Sequence, residues 1–404
     1  MTPVAGIVNT RTPCKKLSRI FCYFFDNLNT KFCIQNSEFD ILYDLVAIFK
    51  TLTIQVKKNY GGGVNMAIKA LPTIALAMGD PAGVSPELTA KLLADTEVRA
   101  AAHFVVFGDR RILDEGARIA GVMPDITVVS PGDSYDATQR PVLVDLGHLS
   151  PEDVKRSEAT PEGGAFALEN FRQALTMAKE GRADAVCFTP FNKKAMRYVY
   201  PGYDDEIRYA AEITGFKGAA REFNVLDNLW NCRVTSHIPL SEVAAALSAE
   251  RIVDELELAD RCMRESGMET PRIAVAGLNP HAGDGGNFGR EEIDVIAPAV
   301  QRAVEKGFNA SGPYPADTVY VRARNGEFDA VLSMYHDQGQ IAMKLMGFDR
   351  GVTMMGGFPF PICTPAHGTA YDIAGRGIAN LGASKAAVLL AARMAKRNRA
   401  AKIQ

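Results

Sequence analysis

Three observations predict an α/β fold for this sequence. From about Pro72 onward, short apolar stretches typical of buried strands alternate with stretches of helical periodicity. Several apolar stretches end directly in glycine, proline or polar residues, which is where open α/β sheets place ligand-binding groups. No internal repeat and no low-complexity linker breaks the alternation. We therefore expect layers of helices packed on a sheet.

The individual elements follow from the same patterns. The stretch 73–78 predicts a strand, and the turn that follows it opens a helix at 86–94. The other predicted strands are 104–107, 142–145, 184–188 and 330–334. A further helix is predicted at 164–179. After the strand at 330–334, we expect residues 335–338 to lie in a turn that is marked by Gly339.

Composition narrows the class of protein. The 404 residues are 47% hydrophobic, enough for two ordinary domains, and the net charge of -2 offers no basic excess for nucleic acid or an anionic membrane. The seven cysteines form no CxxC pair. Reduced thiols in a cytoplasmic protein are therefore expected, with no nucleic-acid partner and no membrane partner.

The first 65 residues differ from the rest of the chain. They are rich in Phe, Asn, Lys and Ile, whereas the remainder is rich in Ala, Gly and Val. Gly61 and Gly62, followed by Met66, match the translation of a purine-rich ribosome-binding sequence ahead of a start codon. We expect residues 1–65 to be a non-native or disordered N-terminal extension.

Three of the six histidines occupy equivalent positions. His237, His281 and His336 each follow a short apolar run and lie beside proline or glycine. A divalent metal commonly takes three protein ligands and leaves positions open for substrate. A single histidine at a strand end is more often a hydrogen-bonded loop residue. On spacing alone, a metal site and three unrelated loop histidines are both open interpretations.

Other candidate residues have equally plain alternatives. Gly283, Gly285 and Gly286 precede a predicted helix and would let backbone amides approach a cofactor phosphate, although the spacing is not GxGxxG and a surface loop is the alternative. Asp317 follows Pro315 and is equally an N-cap or turn residue. Lys344 is equally a solvated side chain on a helix face.

Eight motifs in order carry a family resemblance. They are GDPAGVSPE, TPFNKK, SHIPL, GLNPHAGDGG, GPYPADT, MYHDQG, KLMGFDRGV and HGTAYDIAGRG. Together they resemble the 4-hydroxythreonine-4-phosphate dehydrogenase family of vitamin B6 synthesis, from about Thr73 to Met394.

The resemblance implies fold, assembly and cofactors. It implies a two-domain α/β/α fold similar to the isocitrate and isopropylmalate dehydrogenases, with one domain at 66–190 plus 350–404 and a second, carrying the metal-ligand loops, at 191–349. It also implies a homodimer with the active site at the subunit interface. The cofactors would be NAD, with NADP as the alternative, and a divalent metal (Zn, Mg or Co) held by His237, His281 and His336. Asp317 and Lys344 match positions near the family's substrate.

The departures from the family pattern concern substrate recognition. Where family members carry Gly-His-Thr-Glu, this chain has Gly202 to Arg208, with acids at 204–206. A family asparagine is Thr353 here and a family arginine is Ile362. Isoleucine offers a phosphate no charged partner. We therefore expect an altered substrate site, formed by Thr353, Glu206, Arg208 and Ile362.

The sequence thus predicts an oxidoreductase acting on a CH–OH group. The substrate would be an unphosphorylated β-hydroxy acid, oxidised with NAD and a metal and then decarboxylated, with Asp317 or Lys344 transferring the proton. One alternative is a true 4-phosphohydroxythreonine dehydrogenase of pyridoxal phosphate synthesis, whose phosphate site is rebuilt from Lys193, Lys194 or Arg208. Another is a metal-dependent hydrolase or a binding protein without redox chemistry.

Overall fold

A computed structural model describes residues 71–347 and 349–403. Its centre is one twelve-stranded sheet, and the predicted α/β class is confirmed. The strands are β1 (Thr73–Ala77), β2 (His103–Gly108), β3 (Thr127–Val129), β4 (Val142–Asp145), β5 (Ala185–Phe188), β6 (Arg221–Leu226), β7 (Leu229–Arg233), β8 (Ile273–Ala276), β9 (Ala310–Tyr314), β10 (Ala330–Ser333), β11 (Val352–Gly356) and β12 (Ile362–Pro365). The prediction about residues 1–65 lies outside the described residues.

The strand order is β3-β4-β2-β1-β5-β12-β11-β6-β7-β10-β8-β9. The first six strands in this order, β3, β4, β2, β1, β5 and β12, run parallel to one another. Strand β11 is antiparallel to both of its neighbours, and β6 is antiparallel to β7. Strands β7, β10, β8 and β9 are again parallel to one another. The carboxyl ends of β7, β10 and β8 therefore lie side by side at one edge of the sheet.

Twelve helices connect and cover the strands of the described residues. They are α1 (Ser85–Ala94), α2 (Thr96–Ala101), α3 (Arg110–Ala120), α4 (Pro161–Lys179), α5 (Lys193–Val199), α6 (Glu206–Thr214), α7 (Val243–Ala246), α8 (Ala249–Ser266), α9 (Ala297–Glu305), α10 (Ala316–Arg324), α11 (His336–Gly347) and α12 (Gly382–Ile403). Side-chain caps define several starts, such as Thr160 Oγ1, which accepts the N–H of Gly163 at the start of α4.

Packing on both faces explains why the strands are apolar throughout. In β1, Ile74 and Leu76 belong to one buried cluster, whereas Ala75 and Ala77 belong to a second cluster on the opposite face. A strand that is buried on both faces loses the alternation of polar and apolar residues. This is why apolar runs, rather than alternating ones, predicted β1, β2, β4, β5 and β10 to within one residue at each end, whereas β3, β6, β9, β11 and β12 were not predicted.

One local prediction is wrong. Residues 335–338 do not form a separate turn, because α11 begins at His336, with only Met334 and Tyr335 between it and the end of β10. The side chain of Gln338, in the first turn of α11, binds back to the residue that follows β10, since its Oε1 accepts the N–H of Met334 at 2.7 Å.

The predicted division into two domains stays a prediction. Strands β6 to β10 of the predicted second domain are contiguous in the sheet, and they join the first set through the pairing of β6 with β11. Within the described residues, no helix has the length and apolar character needed to cross a membrane.

Candidate functional site

The three predicted histidines follow three neighbouring strands. His237 comes after β7, His336 after β10 and His281 after β8. These strands are adjacent and parallel in the order β7, β10, β8. The sheet therefore delivers all three imidazoles to the same edge, which is where ligands bind open α/β sheets.

Two of the three imidazoles are close neighbours. The ring centroids of His237 and His336 are 5.6 Å apart, and Nδ1 of His336 lies 2.6 Å from Oδ1 of Asp337. His281 instead lies beside Phe288, at 6.0 Å between ring centroids. Among residues 71–347 and 349–403, no group of three or more His, Cys, Asp or Glu side chains is placed to hold a metal ion. One chain thus brings two predicted ligands together and leaves the third apart.

The loop that carries His281 has an unusual backbone. From His281 to Gly285 the φ angles are 54°, 52°, 83°, 45° and 65°, all in the left-handed region. For residues other than glycine this conformation costs roughly 1–2 kcal/mol each. His237 also has a positive φ, of 53°. Such backbone strain persists only where the surrounding structure holds it in place.

A buried carboxylate holds the start of this loop. Oε1 of Glu292 accepts the backbone N–H groups of Leu278 and Asn279, each at 2.7 Å. Its Oε2 accepts Nδ2 of Asn279 at 2.9 Å. Glu292 is therefore a positioning residue for the loop that contains His281, and sequence reasoning missed it.

The predicted cofactor glycines do not form one open surface. A Cβ added to Gly283 would lie 2.7 Å from Oε2 of Glu292, so this glycine is needed for packing against the buried carboxylate. Gly285 faces open space, and Gly286 has a φ of 100°. The prediction that these glycines contact a cofactor phosphate stays a prediction.

A cavity of about 250 Å³ opens beside His237. It lies between the carboxyl end of β7 and the start of α6. Its lining includes seven ionisable residues, namely Asp205, Glu206, Arg221, Glu222, Arg233, His237 and Arg251. Small molecules bind in cavities with a few converging polar groups, so this cavity is a candidate substrate site next to His237.

The predicted substrate residues differ in their access to this cavity. Glu206 lines it, with Oε2 3.2 Å from Nζ of Lys193. Thr353 lies on β11 and accepts Nδ2 of Asn224 at 3.4 Å. Ile362 is fully buried in the core, so the structure does not bring it to the cavity. Arg208 points to solvent and pairs with Asp204 instead.

Asp317 and Lys344 are exposed in the single chain. Asp317 lies in the first turn of α10, directly after β9, and Lys344 lies in the last turns of α11. Since β9 is the neighbour of β8, Asp317 belongs to the same edge of the sheet as the histidines. Both side chains are free to meet a substrate or a second subunit.

A second polar cluster joins three of the sequence motifs. Nδ2 of Asn192 donates to the hydroxyl of Tyr371 at 2.8 Å, and that hydroxyl donates to Oδ2 of Asp80 at 2.5 Å. Burial raises the pKa of Asp80, although the bonds from Tyr371 and from the N–H of Ala82 oppose it. The motifs GDPAGVSPE, TPFNKK and HGTAYDIAGRG therefore meet at the carboxyl end of β1.

Comparison with known proteins decides the family. The family model for the pyridoxal phosphate biosynthetic protein PdxA matches residues 100–391. The chain belongs to the PdxA family. A relative from Rhizobium meliloti, provisionally named 4-hydroxythreonine-4-phosphate dehydrogenase 2, is 65% identical over 81% of this chain and 95% of its own. A Pseudomonas aeruginosa relative of the same provisional name is 50% identical over 82% of this chain and 99% of its own.

Solved structures agree with the family. The 4-hydroxythreonine-4-phosphate dehydrogenase from Klebsiella pneumoniae has a TM-score of 0.69 and 35% identity, covering 81% of this chain and 99% of its own. The family resemblance that the motifs indicated is confirmed, and this chain is a PdxA-family dehydrogenase, hence an oxidoreductase.

Sequence reasoning missed several residues of the candidate site. Arg233 is the last residue of a buried strand, and a charge at such a position is a signal that was available. Arg251 in the first turn of α8 carried no comparable signal, and neither did Glu292 in the short helical segment Glu292–Ile296 before α9, because charged residues in the first turns of helices are common. Their importance depends on tertiary contacts.

Proposed function

We propose that this chain is an NAD- and divalent-metal-dependent dehydrogenase that oxidises a β-hydroxy acid carrying an anionic group at its far end. The observation that supports the proposal is the placement of three histidines at the ends of three adjacent parallel strands in a PdxA-family dehydrogenase. The reaction converts the hydroxy acid and NAD⁺ to a β-keto acid, NADH and a proton. The β-keto acid then loses CO₂.

The donor set fits a divalent metal in its chemistry. Imidazole nitrogen suits Zn²⁺ and Co²⁺, and two such rings already lie 5.6 Å apart between centroids. We propose His237, His281 and His336 as the ligands, with a second copy of the chain completing the set. When bound, the metal supplies a Lewis acid at the substrate oxygen, and NAD accepts the hydride.

Protein side chains would handle the protons. Asp317 and Lys344 are the proposed proton-transfer groups, since both are exposed and belong to elements that start at the histidine edge. One would take the proton of the hydroxyl group. The other would deliver a proton to the carbon left by CO₂.

The structure changes our proposal for the substrate's far end. The expectation of an unphosphorylated substrate rested on Ile362 and Thr353, which stand where the family has an arginine and an asparagine, and on the acids at 204–206. Three arginines line the cavity beside His237, so cationic groups for a phosphate are present from another part of the chain. The names of the relatives also support a 4-phosphate. An unphosphorylated hydroxy acid with a second carboxylate is the second candidate.

We also propose a symmetric dimer built on α11. Ile341 and Leu345, one turn apart on this helix, are 60% and 83% exposed, beside the exposed Lys344. An apolar face next to proposed active-site groups suits a subunit interface. A stable interface of this kind buries roughly 1,600 Å² in total.

Two measurements test the proposed function. The protein is incubated with NAD, Zn²⁺, Mg²⁺ or Co²⁺ and 4-hydroxythreonine-4-phosphate, and NADH absorbance is followed. His237→Ala, His281→Ala and His336→Ala should each abolish turnover and bound metal while circular dichroism stays unchanged, because the ligands lie outside the core. His103→Gln, at the start of β2, is the matched control. Full metal content in all three alanine variants would refute the proposed ligands.

A further inference from the structure

The cavity beside His237 contains a buried arginine whose position is fixed. Arg233 is the last residue of β7, and its side chain is only 2% exposed. Its Nη1 donates to Oδ1 of Asn224 at 3.0 Å, and its Nη2 donates to Oε1 of Glu222 at 2.9 Å. Its Nε–H makes no hydrogen bond to any residue that the structure describes. The guanidinium is therefore held rigidly with a donor to spare.

The partner of Arg233 is ionised. Burial alone would raise the pKa of Glu222, but the attraction and hydrogen bonding of Arg233 outweigh it, and the pKa is lowered. His237 and Lys193 add smaller effects in the same direction. The Arg233–Glu222 pair is thus a pre-organised part of the cavity wall adjoining the histidines.

A second arginine of the same cavity has no acidic hydrogen-bond partner among the described residues. Arg251, near the start of α8, makes one side-chain hydrogen bond to a described residue, donating to the carbonyl of Ala246 at 3.4 Å. It forms no ion pair with a described residue. Arg221, by contrast, is occupied by Glu255, with Nε 2.5 Å from Oε1. Glu255 feels the charge of Arg251 but is hydrogen-bonded to Arg221, so Arg251 is the arginine of this cavity with the fewest contacts to described acidic groups.

The acidic residues of the wall are already engaged. Oδ1 of Asp205 accepts the N–H of Arg208 at 2.8 Å and caps α6. Glu206 is paired with Lys193 and accepts the hydroxyl of Tyr203 at 3.3 Å. The hydroxyl of Ser236, next to His237, is buried and has no hydrogen-bond partner among the described residues. The Nε–H of Arg233 and the hydroxyl of Ser236 are donors that the described residues leave free beside His237, and they favour an anion there.

We propose that Arg251 and Arg233, with the hydroxyl of Ser236, bind the anionic far end of the substrate. This inference rests on the proposed function, and it assigns the site that replaces the missing family arginine. The ligand chemistry is a phosphate monoester or a second carboxylate. Arg251 determines specificity for the anionic group. Arg233, which Asn224 and Glu222 hold in place, is the rigid part of the binding site.

Kinetics on a matched substrate pair test the assignment. The substrates are 4-hydroxythreonine-4-phosphate and 4-hydroxythreonine, which differ by the phosphate alone. Arg251→Gln should lower kcat/KM for the phosphorylated compound about 10- to 150-fold, the loss that corresponds to one charge-assisted contact. It should change the unphosphorylated compound less than about threefold. Arg251→Lys should recover part of the loss, and Arg261→Gln, on the exposed side of the same helix, should match the wild type.

A binding measurement separates this inference from the proposed function. Inorganic phosphate and succinate are titrated into the wild-type protein and into Arg251→Gln by calorimetry, without NAD or metal. Phosphate or succinate binding that weakens at least tenfold in Arg251→Gln supports the site even if neither substrate is oxidised. The anion that the wild-type protein binds more tightly shows whether the far end of the substrate is a phosphate or a carboxylate. Equal binding to both proteins, or equal kinetic loss on both substrates, would overturn it. Arg233→Lys, which keeps the charge beside Glu222, should weaken both readouts without unfolding the chain.

Discussion

The hydroxyl of Tyr320 in α10 donates a 2.7 Å hydrogen bond to Oδ1 of Asn231 in β7. The backbone of α11 passes over this bond at Gly339, where a Cβ atom would overlap both oxygens. The bond therefore sets how closely α11, which begins with His336, approaches the sheet. It couples the helix of Asp317 to the strand that leads to His237.

Gly339→Ala should destabilise the protein. Alanine gains roughly 1 kcal/mol of helix propensity over glycine. Overlap with two held oxygens costs about 1–3 kcal/mol or more, so we expect a net loss of unfolding free energy. Urea denaturation measures it. Gly202→Ala, where the nearest atom would be 3.7 Å from the added Cβ, is the control and should change little. Equal stability of both variants would contradict the packing described.

Gln338→Glu should weaken the contact that holds the loop of His281 beside the start of α11, which carries His336. Nε2 of Gln338 donates to the carbonyl of Gly277 at 2.8 Å, and this bond joins the ends of β10 and β8. A carboxylate keeps the bond from Met334 but faces the Gly277 carbonyl with a second acceptor. Affinity for Zn²⁺ should fall about 10- to 100-fold, as for other groups that orient metal ligands.

Competition with a chelator measures that affinity, and hydrogen exchange of residues 277–286 gives a readout independent of metal. Gln301→Glu, on the exposed side of α9, is the control. Unchanged exchange in Gln338→Glu would show that other contacts hold the ends of β8 and β10 together.

Glu222 should contribute to acid sensitivity. Its pKa lies below the ordinary value of 4.5, so its stabilising effect is present above that pH and is lost as pH falls through the folded-state pKa. Glu222→Gln should be less stable than wild type at pH 7 by about 1–3 kcal/mol. The difference should shrink as pH falls below about 4.5. Unfolding free energies across this range, with the exposed Glu305→Gln as control, measure the effect. A difference that does not depend on pH would contradict the ionised pair.

Leu345→Asp should separate the proposed dimer. A charge in the middle of a desolvated interface costs several kcal/mol, whereas the same change on a free surface costs little. Analytical ultracentrifugation should show a monomer for Leu345→Asp and a dimer for Met123→Asp, which alters a side chain that is 95% exposed elsewhere. A wild-type protein that is monomeric and active would exclude the dimer.

Sequence patterns predicted the α/β class and the strand ends that carry the histidines, because apolar runs and flanking glycines are local signals. They failed where an outcome depends on distant partners. Gly339 looked like a turn residue, yet its role is close approach to Asn231 and Tyr320. Arg208 looked like a ligand residue, yet Asp204 pairs with it in solvent. Arg233 and Glu222 lie 11 residues apart on antiparallel strands, and only their register makes them a pair.

The left-handed backbone from His281 to Gly285 limits which sequences this loop tolerates. Ala282 and Asp284 have φ angles of 52° and 45° and reach solvent, so packing alone would permit many substitutions. Conformation permits few, because β-branched residues at such angles are strongly disfavoured, whereas glycine and asparagine adopt them readily. In a library that places every amino acid at these two positions, the variants that fold should therefore contain only a few residue types, although neither side chain is buried.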